Sequence, residues 1–131
     1  MPRSVHVPGL HHGKAPIPVA SVAGPLLVSS RIFGLDPDSG RVPPDPAEQV
    51  RLLFANVDRV LAAAGGERAD VVRMSVTVAH GDHRPLLDDA WTAAFPDPDH
   101  RPARHVEVSD ALRAPLAVAA EITAFLEGAR R

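Results

Sequence analysis

Hydrophobic positions along this 131-residue chain fall into two periods. Between Pro46 and Ala64 the apolar residues Val50, Leu53, Phe54, Val57, Val60, Leu61 and Ala64 recur at spacings of three and four, the stripe of an amphipathic helix. Asp45 stands where an N-cap belongs, Pro46 suits a first turn that does not need its amide, and Gly65 with Gly66 closes the segment. A shorter helix is predicted from about Pro85 to Phe95. Elsewhere the period is two. In DVVRMSVTVAH, Val72, Met74, Val76 and Val78 alternate with more polar neighbours, as in a strand covered on one face. PVASVAGPLLVSSRI holds two apolar runs broken by Gly24 and Pro25 and reads as a hairpin, while ARHVEV and LAVAAEITAFL read as two further strands.

The order β, β, α, β, α, β, β predicts a single α+β domain over residues 1–131, with a mixed sheet of about six strands and two helices on one face. Two helices leave the other face bare, so the chain is expected to associate with copies of itself. A hydrophobic fraction of 45% is enough for one core.

Charge and composition narrow the chemistry. Lysine plus arginine number 14 against 16 acidic residues, a formal net charge of -2, which gives the molecule no general attraction for nucleic acid. There is no cysteine, so disulfides, thiolate zinc sites and a cysteine nucleophile are excluded together. No segment approaches the ~20 apolar residues of a membrane span. The opening MPRSVHVPGLHHGKAPIP also lacks the apolar stretch of a secretory signal, so a cytoplasmic protein is expected. His11 and His12 in LHHGK, and His80 and His83 around Asp82 in HGDH, fall in predicted loops; metal sites hold their ligands on rigid elements, so no metal is expected. GLDPDSG lacks the ligand pattern of a calcium loop and reads as a turn.

HRPARHVEV sets Arg101 and Arg104 around a proline and an alanine at the mouth of a strand. Taken with GPLLVSSRI, LDPDSG, EQVRLLFANVDRVLAAAG, DVVRMSVTV, FPDPDHRPARHVEV and AAEITAF, in that order and at those intervals, the chain resembles the reactive intermediate deaminase (Rid or YjgF) family from about Ala15 to Leu126. The resemblance implies a chorismate-mutase-like fold assembled as a homotrimer, with pockets between neighbouring subunits and no metal or organic cofactor. It also implies hydrolysis of reactive enamines or imines to 2-oxo acids and ammonia.

In the family pattern the arginine of the Pro-Ala-Arg stretch holds the substrate carboxylate, and that position is Arg104. A guanidinium suits the role, because its planar fork of donors matches a carboxylate bidentately. The family's water-positioning glutamate aligns with Ala119, and Glu121 stands two residues on, the same strand face shifted by about 6–7 Å. Glu121 is left between catalysis and an interface ion pair. The aromatic residue common at the pocket entrance aligns with Ile17, and the position two beyond the arginine, often cysteine, is Val106. With Ser30 supplying hydrogen bonds, and Arg31 facing either the pocket or a subunit interface, these residues imply a more apolar pocket than the family pattern. His12 and Lys14 precede the segment that nears the pocket, His105 should face away from Arg104, and Arg101 reads as a solvated loop charge. Two alternatives stay open: a diverged hydrolase, dehydratase or cyclising enzyme on the same scaffold, and a non-catalytic metabolite-binding trimer.

Overall fold

In the computed structural model, which describes residues 1–127, one mixed sheet carries two helices on one face. The strands are β1 (Arg3–Val5), β2 (Ala20–Ala23), β3 (Leu26–Ser29), β4 (Ile32–Phe33), β5 (Val71–Val78), β6 (Ala103–Val108) and β7 (Val118–Phe125). The helices are α1 (Pro46–Ala63) and α2 (Arg84–Ala94). The order across the sheet is β1-β2-β3-β7-β5-β6, with β4 joining β7 beyond the end of β3. All pairs are antiparallel except β5 with β6, which run parallel through the α2 crossover.

Both helices begin where their sequences dictate. The Asp45 carboxylate accepts from the Ala47 amide at 3.2 Å, Pro46 follows it, and Gly65 ends α1 in the left-handed region at φ 81°. The predicted stripe is the buried one: Val50, Leu53, Phe54, Val57, Val60 and Leu61 all lie in the core. They pack on the sheet face that presents Met74, Val76 and Val78 of β5 with Ala120 and Ile122 of β7. β1 and β4 are additions to the predicted set; with three and two residues they are too short to show a period.

Two buried amides on α1 fix the chain around it. Gln49, fully buried, donates from Nε2 to the carbonyls of Pro43 (2.8 Å) and Pro115 (2.7 Å), and its Oε1 accepts from the Ala117 amide at 2.8 Å. Asn56 donates to the carbonyls of Phe33 and Leu35, each at 2.8 Å. These bonds bring α1 so near the segment after β4 that a Cβ on Gly34 would lie 2.2 Å from the Gln49 carbonyl oxygen.

The opposite face of the sheet has no helix. Leu26 pairs with Phe125 and Val28 with Thr123 there, and Leu26, Val28 and Phe125 are each about half-exposed. Beside this apolar cluster lie Arg73, Ser75 and Glu121.

Gln49→Leu should leave one amide and two carbonyls unpaired in the interior. A stability loss of about 2–4 kcal/mol is expected in urea unfolding. Gly34→Ala should also destabilise, because backbone, not a flexible side chain, occupies the space its methyl needs.

Candidate active site

A tight turn delivers Arg104 to the edge of the sheet. Asp97 accepts from the Asp99 amide at 2.9 Å and from His100 Nδ1 at 2.8 Å, and these contacts hold its carboxyl below the usual carboxylate range. Arg101, an exposed loop charge as expected, also donates Nε to the Phe95 carbonyl at 2.8 Å and so caps the last turn of α2. Strand β6 then starts at Ala103.

Arg104 is in register with the buried Met74, so it lies on the helix side of the sheet, and His105 on the other. Its Nη2 lies 2.8 Å from Asp88 Oδ1 as an ion pair, and its guanidinium carbon sits 5.0 Å from the centre of the Trp91 ring. Asp88 and Trp91 are three residues apart on α2, which sets them on neighbouring parts of one helix surface. Trp91 is itself packed against Phe95 at 4.8 Å between ring centres, so the surface under the guanidinium is rigid. The Arg104 side chain retains 25% of its accessible surface and that of Asp88 56%. Val106 shares the face of Arg104 and packs against the core.

A second cluster forms between β3 and β4. Val28 pairs with Thr123 and Ile32 with Ala120, so residues 29 to 31 oppose only residues 121 and 122. The extra residue makes a local step, as in a bulge. Ser29 Oγ accepts from the Ile122 amide at 2.8 Å in the interior. Ser30 Oγ donates to the Pro18 carbonyl at 2.8 Å, and its amide to Val19 at 2.9 Å. His12 Nε2 donates to the Arg31 carbonyl at 2.6 Å; since a carbonyl only accepts, that nitrogen carries the proton. The His12 ring tilts over Phe33 at 5.7 Å. Ile17 lies exposed beside this cluster, next to the Pro18 carbonyl that Ser30 binds.

Glu121 and Ala119 project from β7 toward the helix-free face. Glu121 is in register with Ser75, and Ser75 with His105. Its side chain is exposed and makes no hydrogen bond or ion pair among the described residues. The register of β4 with β7, extended by one residue, sets Arg31 alongside Glu121. Ala119 sits between Thr77 and Phe33 with 0% of its surface exposed.

The fold therefore gathers Ile17, Ser30, Arg31 and Glu121 in one region, and Arg104 with Val106 in another. Between Arg104 and Glu121 stand two strand spacings, about 10 Å, and the thickness of the sheet. Asp88 and Trp91 were not singled out from the sequence. Their three-residue spacing on a helix that leads straight into the Arg104 strand was the available signal.

A family model described as Endoribonuclease L-PSP matches residues 17–127. The chain belongs to this family, the Rid/YjgF family. Among Rid/YjgF relatives, a RutC family protein of Aquifex aeolicus is 32% identical over 97 residues, covering 70% of this chain and 77% of the relative. A 2-iminobutanoate/2-iminopropanoate deaminase of Bos taurus is 30% identical over 88 residues, covering 63% of this chain and 64% of the relative. A solved structure from Thermotoga maritima matches with TM-score 0.87 at 26% identity, covering 98% of this chain and all of that one. RidA from a Psychrobacter species matches the fold with TM-score 0.86 at 22% identity, covering 95% and 99% of the two chains.

Ser29→Ala should leave the buried Ile122 amide without its acceptor and lower stability by about 1–3 kcal/mol in denaturant unfolding. Ser30→Ala, at a half-buried hydroxyl, should lower it less.

Proposed function

We propose that this Rid/YjgF chain hydrolyses reactive enamines or imines that bear a carboxylate, giving 2-oxo acids and ammonia, in pockets between the subunits of a homotrimer. The observation that carries the reading is Arg104, in its Pro-Ala-Arg stretch, held by Asp88 and Trp91 at a partly open edge of the sheet. The relation to the Bos taurus deaminase supports the same chemistry.

The opposite-face placement of Arg104 and Glu121 supports a pocket built from two copies. A small substrate cannot touch both within one protomer, whereas Arg104 of one copy can meet Arg31, Ser30 and Glu121 on the helix-free face of the next. The half-exposed Leu26, Val28 and Phe125 give that face the apolar surface an interface needs.

The reaction needs little machinery. An enamine takes a proton at carbon to become the iminium; water adds to the carbon bearing nitrogen; the carbinolamine expels ammonia and leaves the carbonyl. Arg104 fixes the carboxylate and so the position of the reacting carbon. Glu121 is an acid on the helix-free face, beside Arg31, that can take the proton of the attacking water and return one to the departing nitrogen. Ile17 and Val106 bound the apolar part of the pocket, and Ala119 underlies it.

A second reading is favoured by Ala119, where the acid of the family pattern is replaced by a buried methyl group. It is a diverged hydrolase, dehydratase or cyclising enzyme on the same scaffold. A non-catalytic trimer would bind 2-oxo acids and turn over no enamine.

Freshly generated 2-aminoacrylate should release ammonia faster with the protein than in buffer alone, and equal rates would remove the deaminase reading. Light scattering should give three times the 13.9 kDa of the chain, a monomer at micromolar concentration being the contrary result. Arg104→Lys should lower turnover roughly ten- to a hundredfold, and alanine should lower it further. Co-refolded equal mixtures of Arg104→Ala and Glu121→Gln chains should recover about a quarter of wild-type activity, because random pairing rebuilds that share of two-copy sites. A mixture no more active than its components would place both residues in one protomer's site.

A further inference from the structure

Asp88 is spent on Arg104, and that pairing bears on what Arg104 can recognise. A guanidinium offers five N–H donors. Asp88 Oδ1 pairs with Nη2 as an ion at 2.8 Å, so an edge of the fork stays free, and the Trp91 ring lies 5.0 Å from the guanidinium carbon. The geometry of the fork is thus preserved while its charge is largely balanced by a carboxylate at 2.8 Å. A ligand arriving at the free edge meets directed donors but little net positive charge, and it meets the negative charge of Asp88 close behind them. Within one protomer, among the described residues, no other cation is shown paired with Arg104 or Asp88. Arg101 is turned to the Phe95 carbonyl, His105 lies on the opposite sheet face, and Arg84, four residues before Asp88 on α2, makes no ion pair with it. In the two-copy site the Arg31 of the next copy comes with Glu121 alongside, so those two charges offset one another.

Resting on the proposed role of Arg104 as the substrate clamp, we infer that Asp88 is a specificity-determining residue. By neutralising Arg104 without displacing it, Asp88 weakens the site's preference for a carboxylate over an uncharged carbonyl. The substrate class then extends to enamines and imines flanked by a carboxamide or ester, whose carbonyl oxygen accepts from the same donors. Trp91 is the positioning partner that keeps the fork in place when the ligand carries no charge to hold it.

Pyruvate and its carboxamide, pyruvamide, serve as a matched pair of probes, titrated into the assembled protein and followed by ligand-observed NMR. Wild type should bind the two with affinities within about threefold. Asp88→Asn keeps the size of the side chain and an oxygen beside Nη2 and removes only the charge. It should therefore strengthen pyruvate binding roughly three- to tenfold and leave pyruvamide unchanged. Asp88→Ser repeats the charge removal should the asparagine variant fail to fold. A purely structural role for Asp88 would move both ligands together, so the ratio is the diagnostic quantity. An unchanged ratio in both variants, or a wild type already favouring pyruvate more than tenfold, overturns the role of Asp88; the clamp itself still stands if Arg104→Ala abolishes both titrations. Titrations that survive Arg104→Ala, or a wild type that binds neither probe, overturn the clamp and the role of Asp88 together.

Discussion

The pairing of β5 with β7 is the interaction from which the rest of this molecule is registered. Both strands run eight residues, and past the irregularity between Val71 and Arg73 their side chains alternate between a helix-covered face and a face without helices. Strand β6 takes its register from β5, and β3 and β4 take theirs from β7. A slip of one residue here would turn Met74, Val76 and Ile122 out of the core and Ser75 and Glu121 into it. The same alternation that builds the core thus decides that Glu121 faces away from the helices and Arg104 toward them.

The helices do more than cover the sheet. Gln49, in the first turn of α1, and Asn56, near its middle, use side-chain amides in place of apolar groups on the buried side, and each ties the helix to irregular chain next to a strand. The segments so held lead directly into β7 and out of β4, the strands that frame Glu121 and Arg31. On α2, Leu87 enters the core, Trp91 packs against Phe95 below Arg104, and Asp88 reaches Arg104 from the rim. Both helices bury one side for stability; α1 also anchors the neighbouring loops from that buried side, and α2 offers its margin to Arg104.

Much of this was legible in the chain. The stripe of α1 and its Asp45 cap, the Gly24-Pro25 hairpin, the alternation of β5 from Met74 to Val78 and the bare sheet face all follow from local pattern and a comparison of helix with strand surface. Val72, expected on the covered face, is instead half-exposed, because a register shift between Val71 and Arg73 puts Val71 in the core in its place. The opposite orientation of Arg104 and His105 follows from strand geometry alone. What was not legible depends on long-range pairing. Strand β1 lies between prolines and becomes a strand only because Ser4 finds Ser21; β4 exists because Ile32 meets Ala120. The burial of Ala119 and the contact of Asp88 with Arg104 are likewise set by neighbours 16 or more positions away. Arg101 is the exposed loop charge it looked like, but nothing in its local sequence names the Phe95 carbonyl as its partner.

With Arg104 and Glu121 on opposite faces, one chain alone carries half of the proposed chemistry. If the site is completed by a second copy as proposed, activity would rise faster than in proportion to the amount of protein wherever the assembly is only partly formed. A cell making this chain sparingly would have almost none of that activity rather than a small share, so abundance itself becomes a threshold control.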